Sequence, residues 1–218
     1  MKYTKDEVRA SMLLYAVTER SGLKGGMTLY EAVRAALENG VTLLQVREKA
    51  MDGKAFLKEA EELRALCADH HVPFIVNDSV EIALECGADG VHVGQDDIMG
   101  RDIRAMIGPD RILGITAKTV EQALAAEAAG ADYLGVGAVF GSSTKKDAKR
   151  ITPDMFRQIT GAVSIPVVAI GGISADNMES LRGCGADGAA VVSAIFSAED
   201  PGSAAAALRR IAEDVFRK

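Results

Sequence analysis

One tripeptide recurs three times in the chain, always at the same kind of junction. Gly87-Ala88-Asp89 leads into Gly90-Val91-His92-Val93, Gly130-Ala131-Asp132 into Tyr133-Leu134-Gly135-Val136, and Gly185-Ala186-Asp187 into Gly188-Ala189-Ala190-Val191. Each copy follows a helical run, so its glycine falls where a helix ends on a left-handed residue. A unit that stops a helix and starts a short apolar strand, used repeatedly, points to a parallel α/β repeat.

The rest of the chain extends the pattern. A leading helix is expected over 4–10, capped by Thr4, and strands over 13–18, 41–47, 72–76, 91–93, 111–115, 133–139, 167–170 and 189–192. Helices alternate with them: 28–38 after the cap Thr28, 52–68, a run from Asn77-Asp78 to Gly87, 99–106, 119–129, one from Pro153, 175–181, and 201–216. The strands are too apolar to keep a solvent face, which means a parallel sheet covered by helices. Eight such units in 218 residues match the size of a closed (β/α)8 TIM barrel. We therefore expect one barrel domain over 1–218, with 1–12 as a leading helical segment. A doubly wound open sheet is the runner-up, but it calls for Gly-x-Gly-x-x-Gly after the first strand, and Thr18-Glu19-Arg20-Ser21-Gly22 does not supply it.

Charge and cysteine usage narrow the function. A net charge of −6 argues against a generic nucleic-acid binder, which needs a basic face, but leaves room for small phosphorylated ligands. Cys67, Cys86 and Cys184 form no close pair, and free thiols in a reducing compartment are expected. The charged start Met1-Lys2-Tyr3-Thr4-Lys5-Asp6-Glu7 does not look like a signal peptide, and no apolar run reaches the ~18 residues of a membrane span. A cytoplasmic protein without membrane or nucleic-acid partners is expected; a homo-oligomer is compatible with the sequence, which fixes no oligomeric state.

In a barrel, chemistry sits at the C-terminal ends of the strands and stability at the other end. Asp89, Asp132 and Asp187 precede their strands and are read as bottom-face turn residues. The candidates follow their strands: Arg47, Lys49, Asn77, Asp78, Gln95, Asp97, Thr116, Ser142, Thr144, Lys145, Gly171, Gly172 and Ser193. Alternation puts Gln45, Arg47 and Lys49 on one face of the second strand, about 6.6 Å apart stepwise, a basic fork able to hold a di-anion. The competing reading is a pair of solvated rim charges near Glu48. Ile170-Gly171-Gly172-Ile173 and Val192-Ser193 stand where barrels often bind phosphate through backbone N–H groups; a tight turn that needs glycine is the alternative. Asp78 and Asp97 end adjacent strands and suit a Mg²⁺ shell completed by water and phosphate oxygens, although Asp78 would also serve as a helix cap. Gly141-Ser142-Ser143-Thr144-Lys145-Lys146 reads as a phosphate-gripping lid or as a plain solvated loop. His92 is expected to pack outward against helices, and no nucleophile–histidine pair is evident.

Assembled, these motifs resemble the thiamine phosphate synthase family along nearly the whole chain. The carriers are Gln45-Val46-Arg47-Glu48-Lys49, Asn77-Asp78, His92-Val93-Gly94-Gln95-Asp96-Asp97, Thr144-Lys145-Lys146-Asp147, Ile170-Gly171-Gly172-Ile173 and Val192-Ser193. The resemblance implies a Mg²⁺-dependent transferase that joins hydroxymethylpyrimidine diphosphate to hydroxyethylthiazole phosphate and releases diphosphate. By the same resemblance Gln45, Arg47, Lys49, Asn77 and Lys145 belong to the pyrimidine diphosphate site, Glu48 and Ser143 are further substrate-binding residues, and Asp78 and Asp97 hold the metal. Ser142, Thr144, Gly172, Val192 and Ser193 belong to the thiazole phosphate site. Thr116, where the family commonly has Ser, would touch the leaving diphosphate, and Arg47, Lys49, Thr116 and Lys145 would carry the chemistry. Two prolines common in the family are missing, with Ala138 at one of those places and Gly141-Ser142 at the other. The alternatives are a thiazole tautomerase-like isomerase, which would rely on a histidine near the fifth strand, and a non-catalytic phosphate-binding barrel.

Overall fold

The computed structural model describes residues 3–97, 99–141 and 150–217. Its eight parallel strands close into a barrel in simple chain order. They are β1 (Leu14–Val17), β2 (Leu43–Val46), β3 (Phe74–Asn77), β4 (Gly90–Val93), β5 (Ile112–Ala117), β6 (Tyr133–Gly137), β7 (Val167–Ile170) and β8 (Gly188–Val191). The helices are α1 (Lys5–Ser11), α2 (Leu29–Glu38), α3 (Gly53–Asp69), α4 (Val80–Glu85), α5 (Ile103–Ile107), α6 (Val120–Ala128), α7 (Pro153–Ala162), α8 (Ser193–Phe196) and α9 (Pro201–Phe216). The expected (β/α)8 barrel is present. Two connections differ from expectation. The segment after β7 forms only a four-residue 3₁₀ turn, Met178–Leu181, and α5 is a turn shorter than expected. α8 was not anticipated; four residues carry too little periodicity to show.

Local chemistry accounts for the helix starts. Thr4 and Thr28 close reciprocal capping boxes with Glu7 and Glu31, each satisfying two of the N–H groups that a helix start leaves open. Thr119, Thr152 and Asp200 cap α6, α7 and α9.

The repeated tripeptide proves to be a two-way clasp at the bottom of the barrel. Asp89 donates its N–H to Phe74 O (3.0 Å) and accepts Phe74 N–H on its carboxylate (2.9 Å). Asp132 does the same with Leu113 (2.7 and 2.8 Å), and Asp187 with Val167 (2.8 and 2.9 Å). A fourth copy is disguised in the sequence as Gly40-Val41-Thr42: Thr42 donates its N–H to Leu14 O (2.9 Å), and its hydroxyl accepts Leu14 N–H (2.8 Å). Gly40, Gly87, Gly130 and Gly185 all have positive φ, between 69° and 100°, a conformation glycine adopts without steric cost. The clasps therefore stand before β2, β4, β6 and β8, each joined to the foot of the strand before it, and the barrel carries a fourfold repeat of β-α-β-α units.

Two apolar cores flank the strands. One lies between barrel and helices; the other fills the barrel with Tyr15, Val17, Leu43, Ile75, Ile112, Tyr133, Val168 and Ala190. Val8 and Met12 belong to this inner core and are almost fully buried, so α1 is the plug that closes the bottom of the barrel. Among the described residues the way in from solvent is then the opposite end. Among the described residues no helix is long and apolar enough to cross a membrane, and the three cysteines are free.

Candidate active site

A cavity of about 520 Å³ opens at the C-terminal end of the strands, within the usual range for small-molecule sites. Its wall on the β2–β4 side presents Gln45, Arg47, Lys49, Asn77, Asp78, Gln95 and Asp97. On the β7–β8 side it presents Gly171, Gly172, Ile173, Val192 and Ser193, with Thr116 between. The expected candidates within the described residues thus converge, with one exception. Glu48 does not line the cavity: its carboxylate is held outside by Arg20 (3.0 Å), which also binds Glu59 (2.5 Å). Glu48 is therefore corrected from a ligand contact to an outer ion pair, and Arg47 and Lys49 are not its partners. Ser142, Ser143, Thr144 and Lys145 lie outside the described residues.

Asp78 is not the helix cap that its position allowed. Ser79 caps α4 by accepting Ile82 N–H (3.2 Å), which leaves the Asp78 carboxylate for the cavity. Asp78 has φ +62°, a left-handed conformation for which Asp and Asn are among the most tolerant side chains, and its N–H is tied to His92 O (2.8 Å). On β4's exit loop Asp97 bends back to accept Gly94 N–H (2.8 Å). Burial, then the negative charge of Asp97, push the Asp78 carboxyl above the usual carboxylate range; Asn77 and Arg47 pull the other way. Two carboxylates held together at this cost, beside a basic fork, form a hard-oxygen donor pair that fits Mg²⁺.

Gly171 (φ +105°) and Gly172 (φ +69°) stand in the left-handed region, as the tight-turn reading expects. Neither can carry a side chain: a Cβ on Gly171 would come within 2.6 Å of Ala138, and one on Gly172 within 2.6 Å of Gly141 O. The turn needs glycine, and it also brings bare backbone to the cavity wall. Among the described residues the N–H groups of Gly172, Ile173 and Ser193 meet no acceptor.

Sequence reasoning missed the floor of the cavity. His92 points into the barrel, contrary to expectation, with Nδ1 3.0 Å from Tyr133 Oη and Nε2 3.0 Å from Thr116 Oγ1. Gly114 and Gly135 make the room. A Cβ at Gly114 would lie 2.2 Å from the Tyr133 ring and 2.5 Å from His92 Nδ1, and one at Gly135 would lie 3.0 Å from His92. Glycine inside a strand marks such a close approach, and that was the available signal. Tyr133 Oη is 2.7 Å from Tyr15 Oη, to which Gln45 Nε2 donates. Burial raises the pKa of both tyrosines well above the ordinary phenol value, so both hydroxyls keep their protons. Lys118 also lines the cavity; it shares the inward phase of Thr116 and was legible on that ground.

The family model described as thiamine monophosphate synthase matches residues 14–195. The thiamine-phosphate synthase of Geobacillus kaustophilus is 52% identical over 183 residues, 82% of each chain. That of Clostridioides difficile is 45% identical over 196 residues, 90% of this chain and 93% of the relative. Among solved structures, the thiamine phosphate pyrophosphorylase from Pyrococcus furiosus superposes with a TM-score of 0.86 at 40% identity, covering 95% of this chain and 98% of its own. With this fold, this cavity and these likenesses along almost its full length, the chain belongs to the thiamine-phosphate synthase family.

Proposed function

We propose that the protein is a thiamine phosphate synthase, a transferase that couples hydroxymethylpyrimidine diphosphate to hydroxyethylthiazole phosphate and releases diphosphate. The observation that carries this reading is a single cavity with a cationic and carboxylate wall on one side and bare backbone N–H groups on the other, in a chain that matches the family over residues 14–195. Arg47 and Lys49 hold the diphosphate, Gln45 and Asn77 orient the pyrimidine, and Thr116 donates to the departing group. Gly172, Val192 and Ser193 receive the thiazole phosphate. Ser142, Ser143, Thr144 and Lys145, which follow β6 in the sequence and lie outside the described residues, complete both anion sites in this proposal.

Asp78 and Asp97 would hold Mg²⁺, which when bound neutralises diphosphate charge. The remaining work is done by positioned donors. As the diphosphate departs, negative charge grows on its oxygens, and fixed N–H, guanidinium and ammonium groups on the cavity wall stabilise that charge with little reorganisation. The pyrimidinylmethyl cation left behind is stabilised by its own ring amino group and captured by the thiazole nitrogen, so orientation of the second ring contributes the rest. No general base is required. The tautomerase alternative asks for a histidine near β5, where this chain presents Lys118 to the cavity. A small-molecule-only, cytoplasmic enzyme is part of the same proposal.

Incubation of the protein with both substrates and Mg²⁺ should yield thiamine phosphate and diphosphate in equal amounts. Substrate binding without either product would exclude the synthase reading.

A further inference from the structure

Four side chains and a hydroxyl form an unbroken hydrogen-bonded chain across the cavity floor: Gln45, Tyr15, Tyr133, His92 and Thr116. It crosses from β2 through β1, β6 and β4 to β5, and links two residues that face the ligand cavity at its ends. The two phenols at its centre are fully buried, each with a polar neighbour on either side. A buried hydroxyl has one proton to give, and leaving it ungiven is costly, so each tyrosine donates to one neighbour and accepts from the other. The whole chain must then run in one sense or the opposite one.

Gln45 Nε2 donates to Tyr15, and that fixes the sense. Tyr15 donates to Tyr133, Tyr133 donates to His92 Nδ1, and His92 carries its proton on Nε2 and donates it to Thr116 Oγ1. With a lone pair of Thr116 occupied by His92, its own proton is available to a ligand in the cavity that Thr116 lines. At the far end the Gln45 amide, having given Nε2 to Tyr15, has Oε1 for the cavity it lines. The reverse sense would invert both ends: Thr116 would show lone pairs to an anion, and Gln45 would show N–H to the ring.

We infer that this chain is a directional relay in which Tyr15, Tyr133 and His92 act as positioning residues, matching a donor at Thr116 for the leaving anion to an acceptor at Gln45 for a ring amino group. Neither end can reverse alone. An anion at Thr116 therefore favours the Gln45 orientation that accepts from an aminopyrimidine, and a pyrimidine without the amino group loses that match. The inference rests on the synthase reading for the identity of the ligand, but the sense of the relay is a property of the free protein.

Two measurements test it. Nitrogen-15 spectra of the imidazole rings of ligand-free protein should show His92 as a neutral ring with a protonated Nε2 and an unprotonated Nδ1. A ring protonated on Nδ1, or on both nitrogens, would overturn the assigned sense whatever the enzyme's activity. Tyr133→Phe should break the relay: His92 should lose its single tautomer, and kcat/KM for the pyrimidine diphosphate should fall roughly tenfold, with affinity for the thiazole phosphate unchanged. Thr116→Ser, which keeps the hydroxyl, should retain the wild-type tautomer of His92. A folded Tyr133→Phe protein with unchanged tautomer or unchanged kinetics would overturn the coupling. Wild-type protein that forms no product would count against the synthase reading alone, since the ring spectrum is read without substrate.

Discussion

Asp78 stands in a left-handed backbone conformation at the cavity rim, with a second carboxylate beside it. Because burial and Asp97 raise its pKa, the fold favours the protonated form. Metal-free protein therefore gains stability as pH falls toward the ordinary carboxylate value, and loses it as pH rises through the raised one. Asn tolerates the same backbone conformation and carries no charge. Asp78→Asn should raise the melting temperature of metal-free protein at neutral pH, at roughly 2–4 °C per kcal/mol recovered, and should abolish the further rise that Mg²⁺ gives the wild type. Thermal melts with and without Mg²⁺ check both points; a lower melting temperature for the metal-free variant would remove the strain ascribed to the pair. Asp78 and Asp97 were legible in the sequence because they follow the ends of adjacent strands. His92 was not, because its phase was counted from Gln95, and the strand ends before that residue, so the alternation does not carry across. Glu48 was misplaced because its neighbours in a recognisable motif hid its own charge partner, Arg20.

At the scale of the element, the clasps explain why strands of only four residues hold their register. The carboxylate of Asp132 binds Leu113 N–H and also Arg104 (2.6 Å), and Asp187 likewise binds Arg9. Removing the carboxylate leaves a strand N–H and a guanidinium without this partner. Asp132→Ala should cost about 2–3 kcal/mol, read by denaturant unfolding, while turnover per folded molecule stays near wild type. A large loss of turnover with stability intact would place this residue in the chemistry instead. Three clasps could be read directly from Gly-Ala-Asp. The fourth could not, because Thr42 does with a hydroxyl what the others do with a carboxylate, and residue identity hid an identical geometry. The 3₁₀ turn after β7 was expected as a full helix; seven residues there contain too few turns for periodicity to separate the two.

Over the whole molecule, the barrel has one sealed end and one open end, and the described residues tied to the proposed chemistry lie at the open one. The seal is apolar: Met12 is fully buried in the inner core, and Met12→Ala should cost about 2–5 kcal/mol, seen as a shift of the unfolding midpoint. The fold class was legible because eight buried strands alternating with helices leave few arrangements. The interior of the barrel was not, since which of two faces a short apolar strand turns inward cannot be told when both are buried. The central assignment is that one cavity separates its labour, with the diphosphate and its metal at the β2–β4 wall and the thiazole phosphate at the β7–β8 wall. It is tested most directly by Asp97→Asn, comparing Mg²⁺-dependent turnover with calorimetric affinity for the thiazole phosphate. Turnover should fall about a hundredfold, the scale of losing a few kcal/mol of charge stabilisation, while that affinity stays within a factor of about two of wild type. Equal losses in both would contradict the assignment of the two walls.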